Sequence, residues 1–345
     1  MAMAMTETQL KDIIKSGKSN LYLFYGAEGY LVEQYARLVA KYTVEEGFDA
    51  FNLQRFDGKD ATIEQLEAAV DAVPLMSDRK CVMVRDGDPC GADGDRLCRL
   101  AESVPEDCVL VFWQMTVQPD KRKNGWKTLL AVAESRGVAM NFPRKETADA
   151  AKMLVGGAKR RGCALDMTDA LYLVEQVGND LNLLICELDK LCALATDGSI
   201  TRRMIDDACP KNLEAKVFDL SKSILRRRHG EAYALLHQLK TQREEPVAVL
   251  GVLSSAYADL YRGKIAAIAG KPTDQLAAEF KSYKGKEWKL RNAARDAARM
   301  DVTVLRDCLE ILADADTGIK TNYGGDNWLV LEHTVARLIQ RAQEG

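Results

Sequence analysis

The residues from which active sites are commonly built are scarce in this chain. Only three histidines occur, His229, His237 and His333, and all fall in helical stretches far from any plausible nucleophile. No catalytic constellation is legible, and no dinucleotide fingerprint with its acidic partner appears, so a hydrolase or an oxidoreductase has little support. The nine cysteines run from Cys81 to Cys308 and none forms a C-x-x-C pair. A zinc ribbon needs that tight spacing for two thiolates to reach one tetrahedral ion, and Cys81, Cys90, Cys98 and Cys108 are spaced too widely for it. The cysteines are therefore expected to be small, mostly buried side chains in a reducing cell, with no metal and no cofactor. Prolines number eight and there is no low-complexity tract, so little of the chain should be disordered. No apolar run approaches the ~18 to 20 residues of a membrane span. Met1-Ala2-Met3-Ala4-Met5 lacks the basic segment and apolar core of a secretion signal. A cytoplasmic protein without a membrane partner is expected. A net charge of −3 excludes coating nucleic acid by bulk electrostatics, so any DNA contact must be local.

What is present is the composition of a folded chain, 47% hydrophobic and 29% charged over 345 residues, long enough for two or three domains. Short apolar runs alternate with amphipathic stretches as far as about Arg144. Strands are expected at Leu21–Tyr25, near Phe51–Phe56, and at Lys80–Arg85, Cys108–Trp113 and Val138–Phe142. Helices are expected at Leu31–Tyr42, Ile63–Val73, Arg96–Ser103 and Trp126–Ser135. Five βα units of this kind predict an α/β domain with a mostly parallel sheet covered by helices on both faces. Beyond Pro143 the strand signal ends and helices follow one another. Leu184, Leu188, Leu191 and Ala195 share a helix face, as do Val249, Leu253, Ala256 and Leu260, and Leu331, Val335 and Leu338. The pattern breaks after Pro210. The expected division is 1–144, an α/β domain; 145–211, a small helical domain; and 212–345, a C-terminal helical domain.

The first strand runs into Gly26-Ala27-Glu28-Gly29, where a nucleotide-binding protein would hold phosphate. The machinery for it is missing. A phosphate loop needs a long glycine-rich turn ending in Gly-Lys-Ser/Thr, so that backbone N–H groups wrap the phosphates, the lysine reaches the outer ones and the hydroxyl holds magnesium. Here the loop is short and carries Glu28, which suits the positive end of a helix dipole and repels a triphosphate. Gly17-Lys18-Ser19 imitates the end of such a motif, but it precedes the strand and reads as the turn that enters it.

An α/β nucleotide-fold domain, a small helical lid and a helical C-terminal domain, in that order, are the parts of a clamp-loader subunit of the AAA+ type. The opening Tyr22-Leu23-Phe24-Tyr25-Gly26-Ala27-Glu28-Gly29-Tyr30-Leu31 resembles that of the bacterial DNA polymerase III delta subunit, in which a strand precedes Gly-x-Glu-x-Tyr-Leu. Further matches follow in the family's order: Pro74-Leu75-Met76-Ser77-Asp78-Arg79, Glu187-Leu188-Asp189-Lys190-Leu191, Val217-Phe218-Asp219-Leu220 and Ile319-Lys320-Thr321. The resemblance implies a non-ATPase subunit of the DNA polymerase III holoenzyme that opens the ring-shaped sliding clamp during replication. Its implied partners are the clamp, loader subunits of the gamma/tau and delta prime type, and primer-template DNA, with Asp301 to Gly345 contacting neighbours in the ring. Independently, the third strand ends in Arg85-Asp86, where an ATPase would place the acidic pair that holds magnesium. No Ser-Arg-Cys segment offers an arginine finger. The loop and strand end together, Gly26, Glu28, Arg85 and Asp86, read as a degenerate nucleotide site.

In that family a hydrophobic pair at the end of the helix before the third strand enters a pocket of the clamp, and Leu75-Met76 occupies the position. The family's second residue is often aromatic; a thioether is flexible and polarizable enough to fill an apolar pocket. The alternative is that Pro74 ends the helix and the pair caps the domain's own core. Near the C-terminus Lys281, Lys284, Lys286, Lys289, Arg291, Arg295 and Arg299 surround Trp288, and Tyr323 follows Lys320 in a turn with Gly324 and Gly325. Cations beside aromatics grip a nucleic-acid backbone and stack bases. The resemblance implies that Trp288 and Tyr323 face primer-template DNA; the alternative is a solvated helix face with the tryptophan packed beneath lysine stems. Arg226-Arg227-Arg228-His229 reads as a helix C-terminus whose charges complement the dipole. Two other functions compete: a non-enzymatic helical adaptor with a dead nucleotide domain, and an active AAA+ ATPase such as an initiator or helicase loader. The latter lacks its lysine and its magnesium acid.

Overall fold

The computed structural model describes residues 5–280, 283, 287–321 and 325–343. The chain divides into two compact units, Met1–Lys145 and Glu146–Gly345.

The first unit runs α1 (Glu7–Ser16), β1 (Leu21–Tyr25), α2 (Gly29–Thr43), α3 (Asp49–Asn52), β2 (Leu53–Asp57), α4 (Ile63–Asp71), β3 (Lys80–Arg85), α5 (Gly94–Glu102), β4 (Cys108–Trp113), α6 (Asn124–Arg136) and β5 (Val138–Asn141). The strands form one sheet in the order β2-β3-β4-β1-β5. Every pairing is parallel, with Leu21 opposite Leu110, Tyr22 opposite Val138, Lys80 opposite Cys108 and Leu53 opposite Cys81. This is an AAA+-like sheet. Its three inner strands carry unbroken apolar runs, Cys81–Val84, Cys108–Phe112 and Leu21–Phe24, all buried because helices cover both faces. The edge strand β2 exposes Gln54 and Arg55. Local chemistry sets the helix ends. Thr6 with Gln9 and Thr62 with Gln65 make capping boxes at α1 and α4, and Gly17, at φ 62°, ends α1 in the left-handed conformation.

Helices α2, α5 and α6 and strand β5 differ from the expected bounds by one or two residues, and two further shifts bear on the loop before β3. The stretch near Phe51–Phe56 begins with the turn of helix α3, and the strand starts at Leu53; helix α4 stops at Asp71 rather than Val73. The residues before β3 are therefore loop, not helix end.

The second unit comprises α7 (Thr147–Arg160), β6 (Ala164–Leu165), α8 (Met167–Val177), α9 (Leu181–Leu194), β7 (Ser199–Ile200), α10 (Arg202–Ala208), α11 (Leu213–Leu225), α12 (His229–Thr241), α13 (Pro246–Ile268), α14 (Thr273–Glu279), α15 (Glu287–Asp296), α16 (Val302–Thr321) and α17 (Asn327–Gln343). Strands do recur beyond Pro143, as the parallel pair β6 and β7. Two residues each are too few to show alternation in a sequence. Asp180, Thr201 and Asn212 cap α9, α10 and α11 through their side chains, and Pro246 opens α13. The stripe on α13 is Val249, Leu253, Tyr257 and Leu260; Ala256 is only half-buried, because the i, i+4 step from Leu253 falls on Tyr257.

Candidate functional site

In a parallel sheet the loops that leave strand carboxyl ends and those that enter amino ends lie on opposite edges, and ligands of such folds bind at the carboxyl edge. There the Gly26–Gly29 loop is closed by its own chain. Gly26 has φ 129°, and a Cβ on it would lie 2.3 Å from the Phe142 carbonyl oxygen, so only glycine fits. The Gly26 N–H donates to Gln118 Oε1 at 2.9 Å, and the Glu28 N–H donates to the Phe142 carbonyl at 3.0 Å. Two donors that would face a phosphate are thus committed internally. Glu28 is buried at the start of α2, where its Oε2 accepts from the Lys145 N–H at 3.3 Å. No side-chain cap is made by Glu28 on its own helix.

Asp86, beyond β3, is buried and holds φ 51°. Its Oδ1 accepts from the N–H groups of Met115, Thr116 and Val117 at 2.7, 2.7 and 3.1 Å, and its Oδ2 accepts from the Thr116 hydroxyl at 2.8 Å. Burial by itself would raise its pKa, but these bonds to the ionised form prevail and hold it below the ordinary carboxylate range. A carboxylate so engaged organises the loop after β4, and Gln118 at the far side of that loop is the group bonded to Gly26. Arg85 Nε lies 3.7 Å from Asp86 Oδ2, with its guanidinium over the Trp113 ring. Gly26 and Glu28 are thus built into the fold through Gln118, Phe142 and Lys145, and Asp86 through Met115, Thr116 and Val117, none of which carries a sequence signal.

At the amino edge, the loop between α4 and β3 does the reverse. Its side chains face solvent: Val73 is 83% exposed, Leu75 50% and Met76 80%, and Phe51 nearby in sequence to the loop's anchor is 58% exposed. Met76 does not cap the domain's core. The backbone beneath is fixed. The buried Asn52 side chain pairs with both the N–H and the carbonyl of Leu75, at 2.8 Å each. Lys80, also buried, donates from Nζ to the carbonyls of Ala69, at 2.8 Å, and Ala72, closing the carboxyl end of α4. Arg79 Nη1 donates to the Gly17 carbonyl at 2.8 Å.

In the helical unit, Trp288 is half-buried and lines a cavity of 390 Å³ with Phe218, Lys222, Glu175, Asp259 and Lys289. Among the described residues its indole N–H has no hydrogen-bond partner. Burial raises the carboxyls of Glu175 and Asp259. The described cations of the expected DNA contact are paired: Lys289, which lines the cavity, with Glu214 at 2.7 Å, Arg291 with Asp274 at 3.5 Å, and Lys320 with Asp316 at 2.6 Å. Lys281, Lys284, Lys286, Tyr323 and Gly324 lie outside the described residues. Arg226 and Arg227 follow the end of α11 and line a second groove together with Arg295 and Arg299. Among the described residues no helix is long and apolar enough to cross a membrane.

These features define an AAA+-like domain whose first strand-to-helix loop is closed by its own chain, joined to a helical unit. Residues 22–136 match the family DNA polymerase III, delta subunit, and residues 214–338 match DNA polymerase III delta subunit, C-terminal domain, together more than half of the chain. The chain is 25% identical to DNA polymerase III subunit delta of Bacillus subtilis (strain 168), covering 97% of both chains. It is 22% identical to DNA polymerase III subunit delta of Escherichia coli (strain K12), covering 94% of this chain and 93% of that one. Its fold is similar to the solved Bacillus subtilis DNA clamp loader delta protein, with TM-score 0.54 and 23% identity over 96% of this chain and 99% of that one. The protein belongs to the DNA polymerase III delta subunit family.

Proposed function

We propose that this subunit binds a ring-shaped sliding clamp, favours its open form for loading onto primed DNA, and does so without hydrolysing ATP. The observation that carries this reading is the exposure of Leu75 and Met76 on a loop whose backbone is held rigid from beneath. An apolar pair standing in water is costly unless a partner covers it, and anchors desolvated in a matching pocket contribute about 2 kcal/mol or more each to an interface. Opening a ring requires no bond cleavage. A ligand shifts such an equilibrium by as much as it prefers one state over the other. The internal commitment of the Gly26 and Glu28 N–H groups supports the absence of nucleotide chemistry in this chain and favours it over an active AAA+ ATPase. ATP-driven changes would then come from partner subunits of the loader, which expose the wedge.

The division of the helical unit at about residue 211 into a lid and a collar belongs to the same proposal, and the continuous core from Val217 to Ala342 supports it. So does a DNA contact at Trp288, Lys289, Arg291, Lys320 and Tyr323. For the described cations it requires phosphate to displace exposed ion pairs, which are worth only about 0–1 kcal/mol each.

The test is surface plasmon resonance of the purified chain on the sliding clamp of its own organism, without nucleotide, beside Leu75→Ser/Met76→Ser. Tight binding lost in the variant is expected. Binding indifferent to both changes, or none at all, would leave the helical adaptor as the better reading.

A further inference from the structure

Asn52 closes α3 immediately before β2 and is 1% exposed. Its carboxamide meets the Leu75 backbone on both sides, Nδ2 donating to the Leu75 carbonyl at 2.8 Å and Oδ1 accepting from the Leu75 N–H at 2.8 Å. That is the pairing a neighbouring strand would supply, made here by one side chain to a residue 23 positions away. With the Leu75 backbone turned inward, its side chain and that of Met76 are left to solvent. Met76 holds φ 54°, in the left-handed region that long side chains seldom occupy, so the surrounding structure has to impose it. Lys80 and Arg79 fix the chain downstream, whereas no other side-chain bond to the backbone of Leu75 is described.

We infer that Asn52 is a positioning residue, one that presents the Leu75–Met76 wedge to the clamp in its bound conformation; this rests on the clamp-binding reading above. A loop already ordered before encounter loses less conformational freedom on binding, so rigidity is converted into affinity. The chemistry is selective for asparagine. Alanine removes both bonds and leaves the Leu75 N–H and carbonyl without the side chain that turns them inward. Aspartate keeps an acceptor for the Leu75 N–H but sets a second oxygen against the Leu75 carbonyl, a repulsion that disappears when the carboxyl is protonated and can donate.

The experiment uses the full chain and the purified clamp. Asn52→Ala is expected to weaken binding about tenfold, the scale of a lost pair of part-buried hydrogen bonds, with unchanged far-ultraviolet circular dichroism. Hydrogen exchange of the Leu75 amide should be slow in the wild type and at least about tenfold faster in the variant. Asn52→Asp should bind weakly at pH 8 and recover relative to wild type as pH falls, since burial raises that carboxyl's pKa; Asn52→Ala should show no such recovery, a difference a general loss of fold would not produce. Wild-type affinity in Asn52→Ala, with Leu75→Ser/Met76→Ser inactive, overturns the role of Asn52 and leaves the clamp reading standing. Wild-type affinity in Leu75→Ser/Met76→Ser overturns both. Should Asn52→Ala fail to fold, an unprotected Leu75 amide in the wild type would by itself refute the inference.

Discussion

The loop after β1 and the loop before β3 lie at opposite edges of one sheet and treat their polar and apolar groups in opposite ways. At the carboxyl edge, N–H groups suited to an anion are consumed by Gln118 and Phe142, and the acidic side chain of the loop is buried. At the amino edge, the backbone is satisfied by Asn52 while apolar side chains stand in water. In the proposed reading, closing the first removes a ligand site and fixing the second offers a surface to a macromolecular partner. The buried inner strands carry the sheet itself, so its two edges can differ in this way without any change in strand order.

The largest expected effect tests the exposed loop. Leu75→Ser/Met76→Ser should lower clamp affinity by about 4 kcal/mol or more, roughly a thousandfold, from two anchors of ~2 kcal/mol. Its unfolding free energy from denaturant titration should stay within about 0.5 kcal/mol of wild type, as for surface substitutions. A variant that unfolds would show the pair to be core.

Next comes the closed loop. Gly26→Ala should destabilise by about 3 kcal/mol, since the new Cβ meets the Phe142 carbonyl at 2.3 Å and φ 129° is hostile to any side chain. Thermal unfolding measures this. A tolerant site would mean that the loop opens easily and the contrast between the two edges is weak.

Asp86→Asn should cost about 2 kcal/mol at pH 7, because the amide keeps one oxygen for the three N–H groups but loses the charge that strengthens those bonds and the oxygen that accepts from the Thr116 hydroxyl. The folded pKa of Asp86 is lowered. Its contribution is therefore fully present above the unfolded value of about 4 and lost as pH falls through the lower folded value. Urea unfolding at pH 7 and in acid should show the gap between wild type and variant narrowing below about pH 4.

The smallest effect concerns the helical unit. Trp288→Ala should weaken binding of primed DNA by about 1 to 3 kcal/mol if the ring stacks on a base. Lys320→Ala should cost less than about 1 kcal/mol and reduce the salt dependence of binding slightly, as loss of one phosphate contact would. Fluorescence anisotropy at two salt concentrations separates the two contributions.

The inner strands, the mostly helical second half and the absence of a complete phosphate-loop motif are legible in the sequence because each is a local pattern. Buried parallel strands need unbroken apolar runs, and a phosphate loop needs its glycines and lysine next to one another in sequence. Edge features were harder to read. Strand β2 is half solvated and follows one turn of helix, so its start was placed early, and α4 was drawn out to Val73 because the apolar residues there continue past the helix. The sequence places Asp86 in a degenerate nucleotide site, and only the structure adds that it anchors the loop after β4.

The sequence by itself determined the order of elements, the absence of a lysine and an acid to hold nucleotide and magnesium, and an apolar pair before the third strand. Only the tertiary structure decided that the pair faces water and the phosphate loop is shut. Those outcomes depend on Asn52 reaching Leu75 across 23 residues and on Gln118 reaching Gly26 across 92. Hydrogen bonds between groups so far apart in the chain leave no periodicity in it; they form because the parallel sheet brings its loops together at the two edges.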